Sequence, residues 1–497
     1  MKQALHIFRK DLRRLWLPVL ISLAGVALFV REETQSVDGA IHAGALFPML
    51  LSACWLYLIA RLVHEESLPG DTQFWLSRPY SRFSLGAAKL CFVAVFVVVP
   101  FLIAGIVILQ SLGFDTLPRI PGLLIKLFYL AALLWLPAFA LAAITRRLSY
   151  FTIGTFLVLG ALVGASQLYG RVGRIVPGQV SWISEGIAEL ILFLGAATVS
   201  LWQFRTRRTH TGLALFAGCL LLATSGFFIS SDVAFAVNAA VQPEPLPFHS
   251  VVLSVSRDGN VEPPLKSGET WVRESYTLSL PYRLTGVPEN TDVNPEAVTV
   301  RISAGDGSSL SLFERPSAYS VGGLAFRLSQ EEFDRLRNRP VRLAGTLWLT
   351  LFQPQTPQRS AHGRPVTLPG VGRCDSAHDR VGAWIRCTMP LRTRHRVAIS
   401  LVARDTGERF HHQTIAYPPT LSPLPDFGFS PVNRAVTFFP ASFGQGRFYG
   451  GPVALTHRQI EQMDVKYEVA TPVAHLRRDF VLENVVLSKL PSAPESR

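Results

Sequence analysis

The distribution of apolar residues divides the chain into two parts. Up to residue 230 the sequence carries long continuous apolar runs, whereas after residue 231 apolar and polar residues alternate within short segments. A helix of about 20 apolar residues is long enough to cross the hydrocarbon core of a bilayer. Alternation with a period of two is typical of a strand that buries one face. The pattern therefore predicts a polytopic α-helical membrane domain followed by an all-β region.

The apolar runs predict about seven transmembrane helices. They cover residues 15–30, 44–63, 90–112, 122–144, 148–169, 186–204 and 211–229. Proline lies in four of them, where it is expected to kink the helix: Pro18, Pro48, Pro100 and Pro137. We assign the membrane domain to residues 15–230.

The basic segment 1–14 precedes the first span. Leu5, Phe8 and Leu12 recur at spacings of three and four, which predicts an amphipathic helix on the cytoplasmic face of the membrane. A secretory signal peptide is the alternative interpretation. It requires a small-residue cleavage site after the apolar run, and Arg31-Glu32-Glu33 follows instead. The first span is therefore predicted to be retained.

Basic side chains predict the orientation of the spans. With the N-terminus inside, fourteen Lys and Arg residues fall in cytoplasmic segments and five fall outside. Such an excess is the ordinary signature of cytoplasmic loops. It predicts a multi-pass protein of a bacterial inner membrane whose C-terminal region is periplasmic or extracellular. The formal net charge of +13 is explained in this way, and no basic tract interleaved with aromatics points to nucleic acid.

Ionisable residues are absent from the predicted mid-depth of the spans. Lys126 and Glu189 lie within a turn of the predicted outer ends, where their side chains can reach the interface. Proton- and ion-coupled carriers use ionisable groups deep in the membrane as relays and ligands. The sequence therefore predicts that any energy for transport comes from outside the bilayer.

In the C-terminal region apolar and polar residues alternate as they do in the strands of antiparallel β-sandwiches, for example at residues 298–303. Two similar helix starts occur between strands, with Ser329 followed by Glu332 and Thr456 followed by Gln459. Both are capping boxes, and the two caps lie 127 positions apart. They predict two tandem β modules, residues 231–358 and 359–497. Chance recurrence of a common motif is an equal alternative.

The five cysteines separate by location. Cys54, Cys91 and Cys219 fall within predicted spans, whereas Cys374 and Cys387 are the pair in the β region. An oxidising compartment would favour a disulfide between Cys374 and Cys387, which would contribute about 3 kcal/mol for a loop of this size. Two separate thiols are the alternative.

Motifs for catalysis are missing from the sequence. It contains no GxxxxGK[ST] phosphate loop, no HExxH, no GxSxG and no CxxC. His411 and His412 are adjacent on a predicted strand or turn, so their side chains would point to opposite faces and make poor metal co-ligands. We predict no enzyme activity, no metal site and no cofactor in this chain.

The segment between the second and third spans, residues 64–89, is more patterned than a connector requires. It begins with an acidic pair and breaks at Gly70, after which a short predicted helix carries bulky aromatic side chains. Asp71 is a suitable N-cap for that helix, and Pro79 would end it. The segment predicts a docking surface made of Glu65, Glu66, Gly70, Asp71, Phe74, Trp75, Arg78, Pro79 and Arg82.

Other roles are open to several of these residues. Trp75 would also suit anchoring to lipid headgroups, and Arg78 and Arg82 would also suit pairing with lipid phosphates. For the acidic pair, the alternative is that both carboxylates are ordinary solvent-exposed charges without a binding role. Phe74 and Trp75 together, however, would supply the apolar anchors of a small interface, in which one aromatic contributes about 2 kcal/mol or more. The combination favours docking.

The first 210 residues resemble the permease subunits of type-2 ATP-binding-cassette (ABC) transporters. In that family an amphipathic N-terminal helix precedes six spans. The first cytoplasmic loop carries an acidic residue, a Gly-Thr-like turn, a Leu-x-x-Pro-x-x-Arg stretch and a Lys that opens the third span. The matching positions here are Glu65 or Glu66, residues 70–72, residues 76–82 and Lys89. The likeness covers under half of the chain, and the seventh span and the β region depart from it.

The resemblance implies a permease that pairs with a separate ABC ATPase and with a second permease subunit, as a homo- or heterodimer. ATP and Mg²⁺ would be bound by the ATPase, and segment 64–89 would be its docking site. Without a polar midplane site, the expected cargo is lipid-like or amphipathic. The β region would receive cargo, bind a periplasmic protein or gate the exit. A non-transport membrane anchor whose β modules bind a partner or ligand is the alternative.

Overall fold

The structure is a computed structural model. It describes residues 2–35, 46–66, 81–172, 181–225, 248–264, 275–314, 323–378, 382–390, 395–407, 409–416, 430, 432–440 and 460–491. Within these ranges the N-terminal half is helical and the C-terminal half consists of antiparallel sheets. The predicted order of a helical half followed by a β region is confirmed.

Nine helices make up the described part of the N-terminal half. They are α1 (Lys2–Gln35), α2 (Leu46–His64), α3 (Arg82–Val93), α4 (Val99–Ser111), α5 (Ile120–Leu130), α6 (Leu136–Ile144), α7 (Leu148–Val172), α8 (Ser181–Thr206) and α9 (Thr209–Ser225). A π-helical turn, Ala94–Val98, joins α3 to α4, and another, Ala131–Trp135, joins α5 to α6.

Five helices among the described residues are long and apolar enough to cross a membrane. They are Gln3–Thr34, Phe47–His64, Phe83–Ser111, Leu117–Ile144 and Gly186–Thr206. They coincide with the predicted first, second, third, fourth and sixth spans. The predicted fifth and seventh spans fall on α7 and α9. In the part of these helices whose side chains are described, the apolar stretches are Leu148–Ala161 and Thr209–Thr224.

Irregular turns lie close to three of the four prolines. The backbone of α1 leaves helical geometry at Leu15 (φ −105°, ψ 16°), three residues before Pro18 and at the boundary predicted between the amphipathic segment and the first span. Pro100 and Pro137 each follow a π-helical turn. Proline lacks an N–H group and crowds the preceding turn, and a widened turn accommodates both effects. Pro48 lies in the first turn of α2, where proline fits a straight helix.

The helical half has its own hydrophobic core. Trp55 of α2 is fully buried at its centre, with ring centroids 5.3 Å from Phe101 and 5.4 Å from Trp135, both in edge-on contacts. Aromatic rings favour this arrangement because the positive ring edge meets the negative ring face. The contacts bring α2, α4 and the second π-helical turn together.

The described β region contains fifteen strands. They are β1 (Val252–Val255), β2 (Asn260–Glu262), β3 (Ser275–Thr285), β4 (Asp292–Ala304), β5 (Ser309–Glu314), β6 (Gly323–Ser329), β7 (Pro340–Pro354), β8 (Gln358–Ala361), β9 (Val366–Leu368), β10 (Gly372–His378), β11 (Gly382–Pro390), β12 (Arg396–Ala403), β13 (Arg409–Ala416), β14 (Val432–Pro440) and β15 (Met463–Val486).

These strands form three antiparallel sheets. One pairs β3 with β1, β2 and β6, and another has the order β14-β11-β10-β9. The third is seven-stranded, with the order β13-β12-β15-β7-β4-β5 and with β8 also paired to β15. Val298, Val300 and Ile302 of β4 are buried, as the alternation predicts.

The long strand β15 holds the seven-stranded sheet together. Its first part, from Met463 to Ala470, pairs with β12, and its second part, from Ala470 to Val486, pairs with β7. The predicted module boundary at residue 358 therefore separates β7 from β15, two strands that share a continuous antiparallel ladder.

Two hydrophobic clusters lie in the β region. One contains residues of β3, β4, β6, β7 and the second part of β15. The other contains residues of β10, β11, β12 and the first part of β15. Each four-stranded sheet thus packs its apolar side chains with a different half of the seven-stranded sheet.

The first predicted capping box is confirmed. The Ser329 hydroxyl accepts a hydrogen bond from the backbone N–H of Glu332, and the Glu332 carboxylate accepts one from the backbone N–H of Ser329. These bonds start the short helix α10 (Gln330–Leu336) between β6 and β7. Thr456 and Gln459, the second predicted box, lie outside the described residues.

The disulfide between Cys374 and Cys387 is present. The two residues face each other in the register of β10 and β11, and both are fully buried. Cys54, Cys91 and Cys219 are free thiols in the helical half. The bond therefore cross-links the centre of the second β cluster.

Replacing both Cys374 and Cys387 with Ala is expected to lower the free energy of unfolding of the β region by about 3 kcal/mol, because the cross-link restricts the unfolded chain. Pulse proteolysis of the full chain in urea measures this change. Cys91→Ala, at an exposed thiol of the helical half, is the control and should leave the urea midpoint unchanged. Alkylation of more than three cysteines in the denatured, unreduced wild type would contradict the bond.

Candidate functional site

The two ends of segment 64–89 are described, and its middle is not. Described backbone runs to Glu66 and resumes at Ser81, whose hydroxyl accepts a hydrogen bond from the Ser84 N–H and caps α3. Arg82 is the first residue of α3, and its side chain is outside the description. The other predicted docking residues lie outside the described residues: Gly70, Asp71, Phe74, Trp75, Arg78 and Pro79.

An ionic cluster joins both ends of this segment to α1. Lys89 of α3 places its Nζ 2.8 Å from Asp11 Oδ2 and 3.1 Å from Glu66 Oε2. Lys10 pairs with the other carboxylate oxygen of Glu66. We call Lys10, Asp11, Glu66 and Lys89 the inner ionic cluster.

Burial distinguishes this cluster from a surface ion-pair network. The relative exposure of Asp11 is 0%, of Lys89 1% and of Glu66 6%. Lys10 is the most accessible member, with a side-chain exposure of 24%. Two carboxylates and two ammonium groups balance in charge, as burial of ions requires.

Local helix geometry explains how these charges become buried. On α1, Ile7, Asp11 and Leu15 are spaced four residues apart and all are buried, so Asp11 projects from the apolar stripe that packs on the bundle. On α3, Lys89 lies between the buried residues Ala88 and Phe92. A tilted ring contact between Phe8 on α1 and Phe92 on α3, at 5.6 Å between ring centroids, brings the two helices together.

An outer ion pair flanks the cluster. Arg14 donates a hydrogen bond to Glu65, with 2.6 Å between Arg14 NH1 and Glu65 Oε2. Arg14 is 60% exposed, so water screens this pair. The adjacent residues Glu65 and Glu66 therefore contact α1 through one partly buried and one buried carboxylate.

The environment of Glu66 favours its ionised form. Burial by itself would raise the pKa of Glu66, but the charge of Lys89 and the hydrogen bond from Lys10 outweigh burial and hold the pKa below its usual range. A carboxyl group with a lowered pKa stabilises the fold above its unfolded pKa. That contribution is lost as the pH falls through the folded value, so acidification weakens the cluster.

A second contact joins the end of α2 to the connection between α6 and α7. His64 Nε2 lies 3.1 Å from Thr145 Oγ1, and the His64 ring meets the edge of Phe151 at 6.3 Å between centroids. The inner ionic cluster and the α6–α7 connection therefore lie at the same end of the bundle, which we call the inner end.

The opposite end of α1 contacts the β region. Ser430 donates a hydrogen bond of 2.9 Å to Glu33, which lies roughly 30 Å along α1 from Asp11 at 1.5 Å per residue. Phe114, which follows α4, packs against Gly372 at the start of β10. A Cβ added to this glycine would lie 3.1 Å from the Phe114 ring. Burial lowers the pKa of His395, which lies just before β12, and the nearby charge of Arg119, which lies just before α5, lowers it further. The inner ionic cluster and the β region thus lie at opposite ends of the helices.

Sequence reasoning located only part of this site. It selected Glu65 and Glu66 as a docking rim and Lys89 through the family pattern, whereas the structure places Glu66 and Lys89 in contact inside the bundle. It missed Lys10 and Asp11. A usable signal was present, because Asp11 is an acidic residue on the apolar stripe formed with Ile7 and Leu15.

Comparison of the chain with protein-family models finds no match, and comparison with curated proteins finds none either.

Replacing Lys89 with Met is expected to lower the free energy of unfolding of the helical half by about 3–5 kcal/mol, because the buried carboxylates of Asp11 and Glu66 would keep only the partly exposed Lys10 as a cation. Thermal melting of the full chain in detergent measures the effect. Asp11→Asn combined with Lys89→Met should be less destabilising than Lys89→Met alone, because it removes the stranded charge. Arg14→Gln, at the exposed pair, should change little. Equal melting of Lys89→Met and Arg14→Gln would show that the cluster does not hold α1 to α3.

Proposed function

We propose that this chain is the membrane-spanning permease subunit of an ABC-type transporter, driven by a separate ATPase that docks on segment 64–89. The observation that supports this proposal most strongly is the inner ionic cluster. Through Glu66 and Lys89, both ends of the docking segment are attached to α1 and α3. A push on the segment would therefore move the helices.

The physical requirement for such coupling is stiffness. A flexible connector would absorb the motion of the ATPase, whereas paired buried charges keep their partners because separating them leaves an uncompensated charge. The contact from His64 to Thr145 would extend the movement to the α6–α7 connection. Under this proposal α1, α3 and α6 respond together.

The π-helical turns supply places where the moving helices bend. Each lies next to a proline, near the middle of the membrane-length helices Phe83–Ser111 and Leu117–Ile144. Such turns have weakened backbone hydrogen bonding and often occur at functional positions. Displacement at the inner end would change the angle between the two halves of each of these helices.

The finer architecture belongs to the same proposal. Seven spans with the N-terminus inside would place the inner ionic cluster in the cytoplasm and the β region outside a bacterial inner membrane. The five membrane-length helices support the membrane assignment, and the contacts of Glu33 and Phe114 with the β region support opposite locations for cluster and sheets. The two hydrophobic clusters support two β-sandwich modules that share the seven-stranded sheet.

Cargo and partners are proposed from the apolar character of the spans. A lipid-like or amphipathic cargo suits a chain whose predicted spans carry no ionisable residue at mid-depth. A second permease subunit would complete the translocation path. The β region, held to the ends of α1 and α4, would receive cargo or bind a periplasmic protein.

A membrane anchor without transport is the second candidate function. It is favoured by the size of the β region, which has two hydrophobic clusters of its own. In that case the β region would perform the binding function and segment 64–89 would be dispensable.

Replacing Phe74 and Trp75 with Ala is expected to remove the ATPase from the purified complex, because these side chains would be the apolar anchors of the interface. The full chain is purified from its native membrane, and ATP hydrolysis that co-purifies with it is measured. A loss of at least tenfold relative to the wild type is expected.

Tyr150→Ala is the matched control, since Tyr150 is an aromatic residue on α7 with 56% exposure. This variant should keep full ATP hydrolysis, and both variants should insert into the membrane at wild-type levels. Retained hydrolysis in the Phe74 and Trp75 double variant would contradict docking at this segment and would favour the anchor.

A further inference from the structure

We propose that Arg146, Arg147 and Arg208 form a binding surface for the headgroups of anionic phospholipids at the inner end of the bundle. We call these three residues the arginine surface. The proposal requires only that the helices lie in a membrane, and it does not depend on ATP-driven transport.

Two short connections bring these arginines to one place. Arg146 and Arg147 lie between α6 and α7, and Arg208 lies between α8 and α9. A Cβ built on Gly212 would lie 3.0 Å from Ile144 Cγ2, so the first turn of α9 packs on the last turn of α6. Both connections therefore lie side by side at the inner end.

The turn between α8 and α9 is tight enough to fix the position of Arg208. Arg207 adopts a left-handed backbone conformation with φ 59°, which ends α8 and reverses the chain within two residues. The N–H of Gly212 then donates to the Arg208 carbonyl, at 2.9 Å, so Arg208 belongs to the start of the α9 hydrogen-bond pattern. Its side chain is exposed.

Among the described residues, no carboxylate is left at the inner end to neutralise the arginine surface. Neither connection contains an acidic residue. The carboxylates that the described residues place at the inner end are Asp11, Glu65 and Glu66, and all three pair with cations of α1 and α3. Arg146 and Arg147 are exposed, as Arg208 is. An external anion is therefore the natural partner.

The neighbouring side chains identify the kind of anion. Exposed apolar residues lie within seven positions of each arginine, with Tyr150 and Ile153 both 56% exposed and Leu201 70% exposed. Trp202, 37% exposed, adds an aromatic residue of the type enriched at membrane interfaces. An acyl chain can cover these apolar residues while its phosphate meets the guanidinium groups.

Arginine suits this partner chemically. The guanidinium group donates two parallel hydrogen bonds to one phosphate and stays charged at every physiological pH. The phosphate of phosphatidylglycerol or cardiolipin carries a net negative charge, whereas that of phosphatidylcholine is neutralised within the same headgroup. The arginine surface should therefore select anionic lipids.

The test measures lipid binding to the full chain in detergent micelles by native mass spectrometry, with phosphatidylglycerol and phosphatidylcholine as probes. Changing all three arginines to Gln is expected to weaken phosphatidylglycerol binding at least tenfold and to leave phosphatidylcholine binding unchanged. Arg→Lys at the same three positions should weaken it by a smaller factor than Arg→Gln does, because the charge remains while the paired hydrogen bonds of the guanidinium group are lost.

The control carries Arg283→Gln, Arg301→Gln and Arg335→Gln, which remove three exposed arginines of the β region. It should bind phosphatidylglycerol like the wild type. A further measurement needs no variant. Raising the salt concentration should weaken the binding of phosphatidylglycerol to the wild type and leave the binding of phosphatidylcholine unchanged.

Several results would overturn the proposal. Wild-type phosphatidylglycerol binding by the triple Gln variant would exclude these arginines, and an equal loss in the β-region control would mean that net charge alone matters. Competition by free glycerol phosphate at equal concentration would show a site for soluble phosphates. Loss of co-purifying ATP hydrolysis with unchanged lipid binding would assign the arginines to a protein interface instead.

Discussion

The pairing of Lys89 with Asp11 and Glu66 is the interaction on which the arrangement of the inner end depends. Helices α1 and α3 and the turn after α2 meet there, and each contributes a charge that would be costly to bury alone. Apolar packing tolerates small shifts of one helix along another, but a buried charge must find its partner within hydrogen-bond distance. The cluster therefore sets the register of α1 and α3 in a way that the surrounding leucine and phenylalanine contacts do not.

The same helices carry that constraint to the β region. From Asp11 to Glu33, α1 runs from the inner ionic cluster to the contact with Ser430, and the chain after α4 places Phe114 against Gly372. A change of tilt at one end thus has a physical route to the other, through a helix that bends at Leu15 and helices that bend at π-helical turns. Whether the molecule transports a cargo or anchors a partner, its two ends are mechanically connected.

Local patterns allowed much of the fold to be predicted, and long-range pairing accounts for the remainder. Apolar runs of about 20 residues identify membrane spans because runs of that length seldom occur elsewhere in proteins. The Ser329 capping box identifies a helix start because both of its hydrogen bonds are local. The ion pair of Asp11 with Lys89 joins residues 78 positions apart, and no sequence pattern near either residue identifies the other as its partner. Likewise β7 and β15 lie more than a hundred residues apart, on either side of the predicted boundary at residue 358, and no local pattern in the sequence indicates that they pair.

The position of β15 in the chain has a consequence for biogenesis. It follows every other described strand, yet it contributes to both hydrophobic clusters. A growing polypeptide would contain fourteen described strands before the strand that completes their cores is made. Contacts between sequence-distant segments form slowly, and unpaired sheet edges can pair with wrong strands before β15 is present. Such a molecule would benefit from holdase chaperones, and its maturation would respond steeply to any truncation of β15.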